Sequence, residues 1–277
     1  MLAYKGMSNR FSASEWDHTR GGSESVVTKA WVKEHIQEGH GPLGKVYPEA
    51  LHIWEGDSAT YFYLMPNGLN NPEQQWQGSW GGRFSREKEK NVNIKAEQYA
   101  GAYNHKGGAW VNELPYLDYY LYADAIDRWE YEGKTYENKW APIFRWRTAF
   151  QHDFAARMDR CIKSYTEVNH NPVAALNGDQ SKKVLYNDVR GGTVVTLDAG
   201  GSHGPDGDDL IYTWWVYSEA GTYDHEVSIA NSESEIAKIQ VPTDANGKTI
   251  HCMLTLEDNG APRLTSYRRL VLNVLVD

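Results

Sequence analysis

Glu55, Asp57 and Glu73 place three carboxyl groups in one short stretch that also holds Trp54, Trp76, Trp80, Asn67, Asn70 and Arg83. Two carboxyls that flank a glycosidic bond can divide the work, one protonating the leaving oxygen and the other activating water or attacking the anomeric carbon. Indoles add flat apolar faces, and amides with a guanidinium add directed hydrogen bonds. A sugar needs both, for its C–H faces and for its hydroxyls. Glu55 and Asp57 alternate about Gly56, so a strand end would set both acids on one face, with Glu73 a third acid on a loop able to close over them. Gly68 and Gly81-Gly82 let backbone approach a ligand closely. Plainer uses stand beside these. Asp57 before Ser58 is a natural helix cap, Glu-Gly-Asp builds turns, and a Trp beside Gly serves equally well as a packed ring or a sugar platform. For Asn67 and Asn70 the turn is the better fit.

Elsewhere, Asp206, Asp208 and Asp209 offer oxygen ligands at a spacing that calcium accepts, without the length or terminal Glu of an EF-hand loop, and a turn explains them more simply. His152 and Asp153 could form a catalytic pair in mid-helix, but Asp153 precedes Arg157 and Asp159 precedes Lys163 by four residues, the spacing of surface ion pairs. Cys161 and Cys252 have no metal-spaced partner and read as separate buried thiols.

The elements that must position these groups divide at Asn169-His170-Asn171-Pro172. Before it, Pro142 opens a predicted amphipathic helix in which Ile143, Trp146, Phe150, Phe154, Met158, Cys161 and Tyr165 share one face. Ser23 caps a second predicted helix running to about Glu38, ended by Gly39 and Gly41-Pro42. Between them lie short strands and Gly/Asn-rich loops, with strand material at 117–122 and 129–136. After the boundary the residues alternate with period two at 193–197, 210–216, 235–241, 249–256 and 270–276. About seven short strands in roughly a hundred residues imply an immunoglobulin-type β-sandwich. The expected class is therefore α+β, with residues 1–170 as a first domain and 171–277 as an all-β second.

A chain of 277 residues with 40% hydrophobic content can bury the cores that such an arrangement needs. The net charge of -9 lies mostly after residue 170 and disfavours nucleic acid as a partner, and Arg86-Glu87-Lys88-Glu89-Lys90 alternates in sign like a solvated face. No apolar run is long enough to span a membrane, and the first residues show neither the basic nor the apolar part of an export signal. Nine of the eleven Trp precede residue 150, more than a core of that size needs, so some are expected to line a surface.

Taken in order, Glu55-Gly56-Asp57-Ser58, Pro66-Asn67-Gly68-Leu69-Asn70-Asn71-Pro72-Glu73, Trp80-Gly81-Gly82-Arg83, the 146–159 helix, Asn171-Pro172-Val173 and Leu197-Asp198-Ala199-Gly200-Gly201-Ser202 resemble a bacterial family described as cellulose-binding proteins. Its members join a nucleoside-hydrolase-like α/β domain to a C-terminal immunoglobulin-like domain. The resemblance implies a partial first domain in this chain, a polysaccharide partner and an extracellular or periplasmic setting. Asp57 resembles the late metal-ligand aspartate of nucleoside hydrolases, although Gly56 stands where those enzymes often place a His. The Asp-rich strand end that completes their calcium site has no counterpart before residue 50. Three functions follow as expectations: hydrolysis of a plant-type β-glucan, binding of that glucan without cleavage, and N-ribosyl hydrolysis of nucleosides.

Overall fold

The computed structural model describes residues 21–48, 58–90 and 120–276, so Trp54, Glu55 and Asp57 lie outside the described residues. The first region contains an antiparallel pair, β1 (Phe84–Lys90) with β2 (Tyr120–Asp124), and a hairpin, β3 (Asp127–Tyr131) with β4 (Lys134–Asn138). The hairpin turns at Glu132-Gly133, both at positive φ, and Gly133 meets no left-handed penalty there.

The helix predicted from Pro142 to Tyr165 is two helices, Ala141–Phe144 and Arg147–Arg160, with Tyr165 in a separate 3-10 turn. Asn138 Oδ1 starts the first by accepting from the amides of Trp140 (2.8 Å) and Ala141 (2.9 Å). The break falls at Arg145 and Trp146, where Arg145 reaches Asp127. The expected helix from Ser23 is also divided, into a 3-10 turn Ser25–Val27, an α-turn Lys29–Val32 and a π-helical turn Lys33–Gln37. Thr28 rather than Ser23 is the cap, because its extended backbone interrupts the run and its hydroxyl accepts from the Trp31 amide at 3.1 Å.

The later region holds seven strands: β5 (Leu185–Val189), β6 (Val194–Asp198), β7 (Leu210–Val216), β8 (Ile229–Ala230), β9 (Ile236–Gln240), β10 (Thr249–Asp258) and β11 (Thr265–Val274). They form a four-stranded sheet in the order β5-β11-β10-β7 and a three-stranded sheet in the order β6-β9-β8, with β5 and β11 parallel and the other pairs antiparallel. Period-two alternation sends Leu197, Ile239, Cys252, Leu254, Leu270 and Leu272 into one core between the sheets. Burial pushes the Cys252 thiol up to about 12. Cys161 is exposed instead, as the residue that caps the end of its helix, which corrects the expectation of two buried thiols.

Strands β10 and β11 are buried on both faces, unlike the one-sided sheet that alternation alone predicts. Their second face, with Met253 and Tyr267, joins Phe62, Leu69, Trp80, Ile143, Phe144, Trp146 and Phe150 of the first region in a shared core. That cover holds Leu69 and Trp80 against the sheet. Among the described residues no helix is long and apolar enough to cross a membrane.

Candidate functional site

Residues 65–84 lie along the second face of the four-stranded sheet. The Asn67 carbonyl accepts from the Tyr267 amide at 3.2 Å, which in effect pairs the segment with β11. Asn67 Oδ1 accepts from the Leu69 amide at 3.1 Å, and Asn70 Nδ2 donates to the Tyr63 carbonyl at 3.2 Å. Both asparagines thus shape the chain itself. At Gly68, with φ +93°, a Cβ would sit 1.9 Å from the Tyr267 carbonyl oxygen, so only glycine permits this approach, and backbone rather than ligand makes it.

Trp80 does not line a surface. It is 1% exposed, its Nε1 donates to the Tyr267 hydroxyl at 3.3 Å, and Phe62, Phe150 and Tyr267 meet it edge to face. An indole enclosed in this way has no face left for a sugar, and the platform expected of Trp80 gives way to packing. Arg83 is likewise committed: its Nε donates to Asp127 Oδ1 at 2.6 Å and its Nη2 to the Ile126 carbonyl at 2.7 Å. Burial alone would lower the Arg83 pKa, but Asp127 and Tyr217 turn the net shift upward.

Asp127 is fully buried. Its other oxygen accepts from Tyr217 Oη at 2.5 Å and Arg145 Nη1 at 3.2 Å, so one carboxylate ties the hairpin to the residue after β7. Arg145 also lies over the Tyr217 and Trp215 rings at 4.6 and 5.0 Å. Burial, and then Asp127, raise the Tyr217 pKa.

Among the large rings of this neighbourhood, Trp76 is half-buried and Tyr186 of β5 is 46% exposed. Tyr186 Oη donates to Gln74 Oε1 and accepts from Gln77 Nε2, both at 2.9 Å, while Gln77 Oε1 accepts from the Asn71 amide at 2.9 Å. Gln75 Nε2 donates to the carbonyls of Ser85 (3.0 Å) and Arg86 (3.1 Å). Arg86 lies 5.2 Å from the Trp76 ring centroid and donates to the carbonyls of Ala220 and Gly221, so the run at 86–90 is not simply a solvated face. Beneath this surface Arg269 Nη1 donates to the Gln77 carbonyl at 2.5 Å and to His251 Nδ1 at 3.2 Å. Burial, and then Arg269, hold the His251 pKa far down, so its imidazole is neutral and able to accept. Glu73 is exposed, and its amide donates to Asn71 Oδ1. The sequence reading missed Gln74, Gln77 and Tyr186; the signal was the Gln74-Gln75-Trp76-Gln77 run, whose amides fix the loop around one indole.

Asp206, weighed with Asp208 as a calcium ligand against a plain turn, lies in a turn. Asp206 is taken by His170, through both Nδ1 (2.9 Å) and the backbone amide (2.7 Å), and among the described residues no three His, Cys, Asp or Glu side chains gather as a metal site. Asp153–Arg157 and Asp159–Lys163 form the ion pairs expected, at 2.6 and 2.8 Å, although the Asp153 carboxylate is itself buried. His152 lies 3.0 Å from the Arg263 carbonyl through Nδ1.

Residues 1–84 match a family model described as cellulose-binding Sde182, nucleoside hydrolase-like domain, and residues 194–274 match that of cellulose-binding protein Sde0182, C-terminal domain. The chain is similar to the solved structure of a nucleoside hydrolase-related hypothetical protein from Saccharophagus degradans that is associated with carbohydrate metabolism. Identity is 38% and the TM-score 0.73, over 96% of this chain and 56% of that one. This chain therefore spans little more than half the length of that relative. The solution structure of the PKD domain from KIAA 1837 protein is 18% identical over 34% of this chain and 81% of its own, with a TM-score of 0.26, too low a likeness to speak to the fold. No curated protein gives a match. With the two domain models of one family matched in order and the Saccharophagus structure similar over 96% of the chain, the chain belongs to the Sde0182 family, with a nucleoside-hydrolase-like region followed by a β-rich C-terminal region.

Proposed function

We propose that this chain binds a plant-type β-glucan, in the first instance cellulose, on the surface formed by Trp76, Tyr186, Gln74 and Glu73. The observation that carries the reading is Tyr186 Oη held between the side chains of Gln74 and Gln77, which bracket the half-buried Trp76 in the sequence. Rings immobilised before the ligand arrives lose little freedom on binding it. Family membership supplies the ligand class, and it favours an extracellular or periplasmic setting. Two facing sheets of four and three strands support an immunoglobulin-like second domain after residue 170. Trp76→Ala should weaken retention on insoluble cellulose by roughly tenfold with an unchanged urea midpoint. Equal retention by the variant and the unaltered chain would remove this surface from the site.

Cleavage is the second reading, favoured because the nucleoside hydrolase-like match spans Glu55 and Asp57. In it these two acids, with Glu73 as a third, act across the glycosidic bond of a glucan held by Trp54, Trp76 and their neighbours. Release of reducing ends from a soluble cellulose derivative is expected to disappear in Glu55→Gln or Asp57→Asn while cellulose retention persists. Release of ribose from inosine in place of reducing ends would instead make the chain an N-ribosyl hydrolase.

A further inference from the structure

Tyr165 stands well away in sequence from the surface just described, in the 3-10 turn Tyr165–Glu167 that follows the long helix. Its ring is 68% exposed, yet one face is covered: His170 stacks on it with ring centroids 3.9 Å apart and planes 27° from parallel. The imidazole is held in its turn. Nδ1 lies 2.9 and 3.2 Å from the two Asp206 carboxylate oxygens, and the His170 amide donates to Asp206 Oδ2 at 2.7 Å. The turn is closed by a capping box in which Glu167 Oε2 accepts from the Ser164 amide (3.0 Å) and hydroxyl (2.5 Å). Arg160 fixes the following backbone by donating to the Asn169 carbonyl at 2.8 and 3.2 Å.

An isolated surface tyrosine needs no explanation, but a surface ring clamped flat from behind by a doubly anchored imidazole is pre-organised to receive something flat and apolar in front. We infer that Tyr165 is a stacking platform for one pyranose ring of a neutral β-linked glucan, a second contact for the ligand class proposed above and dependent on that proposal. The C–H face of the sugar lies on the open face of the phenol ring, and its hydroxyls meet the Glu167 carboxylate, an acceptor, at the rim. Arg160 offsets the Asp206 carboxylate and Lys163 that of Glu167, so the rim carries balanced charge and suits an uncharged chain better than a polyuronate. One ring binds weakly alone. On a chain already held elsewhere, it raises retention through the local concentration of the tethered ligand.

The test follows the Tyr165 and His170 ring signals by NMR in the whole chain during titration with cellohexaose, alongside retention on insoluble cellulose. Both signals are expected to move in the unaltered protein and in Tyr165→Phe. In Tyr165→Ala the His170 shift should be lost, and retention should fall about fivefold. An oligogalacturonate should leave both signals in place. Immobile ring signals in a protein that still holds to cellulose would overturn the platform and spare the glucan reading. Immobile signals together with lost retention would overturn both, and ring shifts that persist in a non-retained Trp76→Ala variant would uphold the platform on its own.

Discussion

Asp127→Ala is expected to lower the free energy of unfolding by roughly 3–5 kcal/mol, read as a lower urea midpoint. The carboxylate it removes is fully buried and serves Arg83, Arg145 and Tyr217 together. Without it, two largely buried guanidiniums face each other around a hydroxyl that has lost its acceptor. The cost comes from those stranded cations more than from lost contacts, so Tyr217→Phe, which removes one hydrogen bond and leaves both ion pairs, should cost only about 1.5–3 kcal/mol. Asp127 begins β3 and Tyr217 follows β7, so the network links the two regions, and coincident loss of both in one urea transition is expected. A loss below about 1 kcal/mol in Asp127→Ala would mean that the network contributes nothing net.

Trp80→Ala separates packing from sugar binding. A buried indole truncated to a methyl group typically costs roughly 3–5 kcal/mol, and here the cavity would open among Phe62, Phe150 and Tyr267 and leave the Tyr267 hydroxyl without its donor. Thermal or urea denaturation should record the loss, while cellulose retention below the transition stays within twofold of the unaltered protein. A variant of unchanged stability that no longer holds to cellulose would show instead that the ring is a platform.

The strands of the later region were legible because a pleated ribbon with one face in a core must alternate. Leu210–Val216 has the bounds that its alternation predicts, and the strands around Ile236 and Ile250 differ from theirs by a residue or two. β11 begins five residues before its predicted start, at Thr265, because Arg268 and Arg269 look like solvated residues in the sequence. In the fold both are buried, Arg268 donating to Asp179 Oδ1 at 2.7 Å and Arg269 to the Gln77 carbonyl. Burial lowers the Arg269 pKa to about 10, and Tyr217 acts in the opposite sense. The helices were visible in their periodicity, but not their breaks, which depend on Thr28 turning extended and on Arg145 finding Asp127.

Residue types and order by themselves determined the family, the change of period near residue 170, the strand-rich later region and the class of chemistry that acids, amides and indoles support. Only the tertiary structure decided which of those side chains remain available. Trp80 is closed off by Tyr267, 187 positions later, and Arg83 is ion-paired with Asp127, while Trp76 and Tyr186 stay partly exposed. The reason is physical: a ring or a cation has the same intrinsic chemistry wherever it stands, but its exposure is set by what the distant chain packs against it, and local sequence does not encode that neighbour.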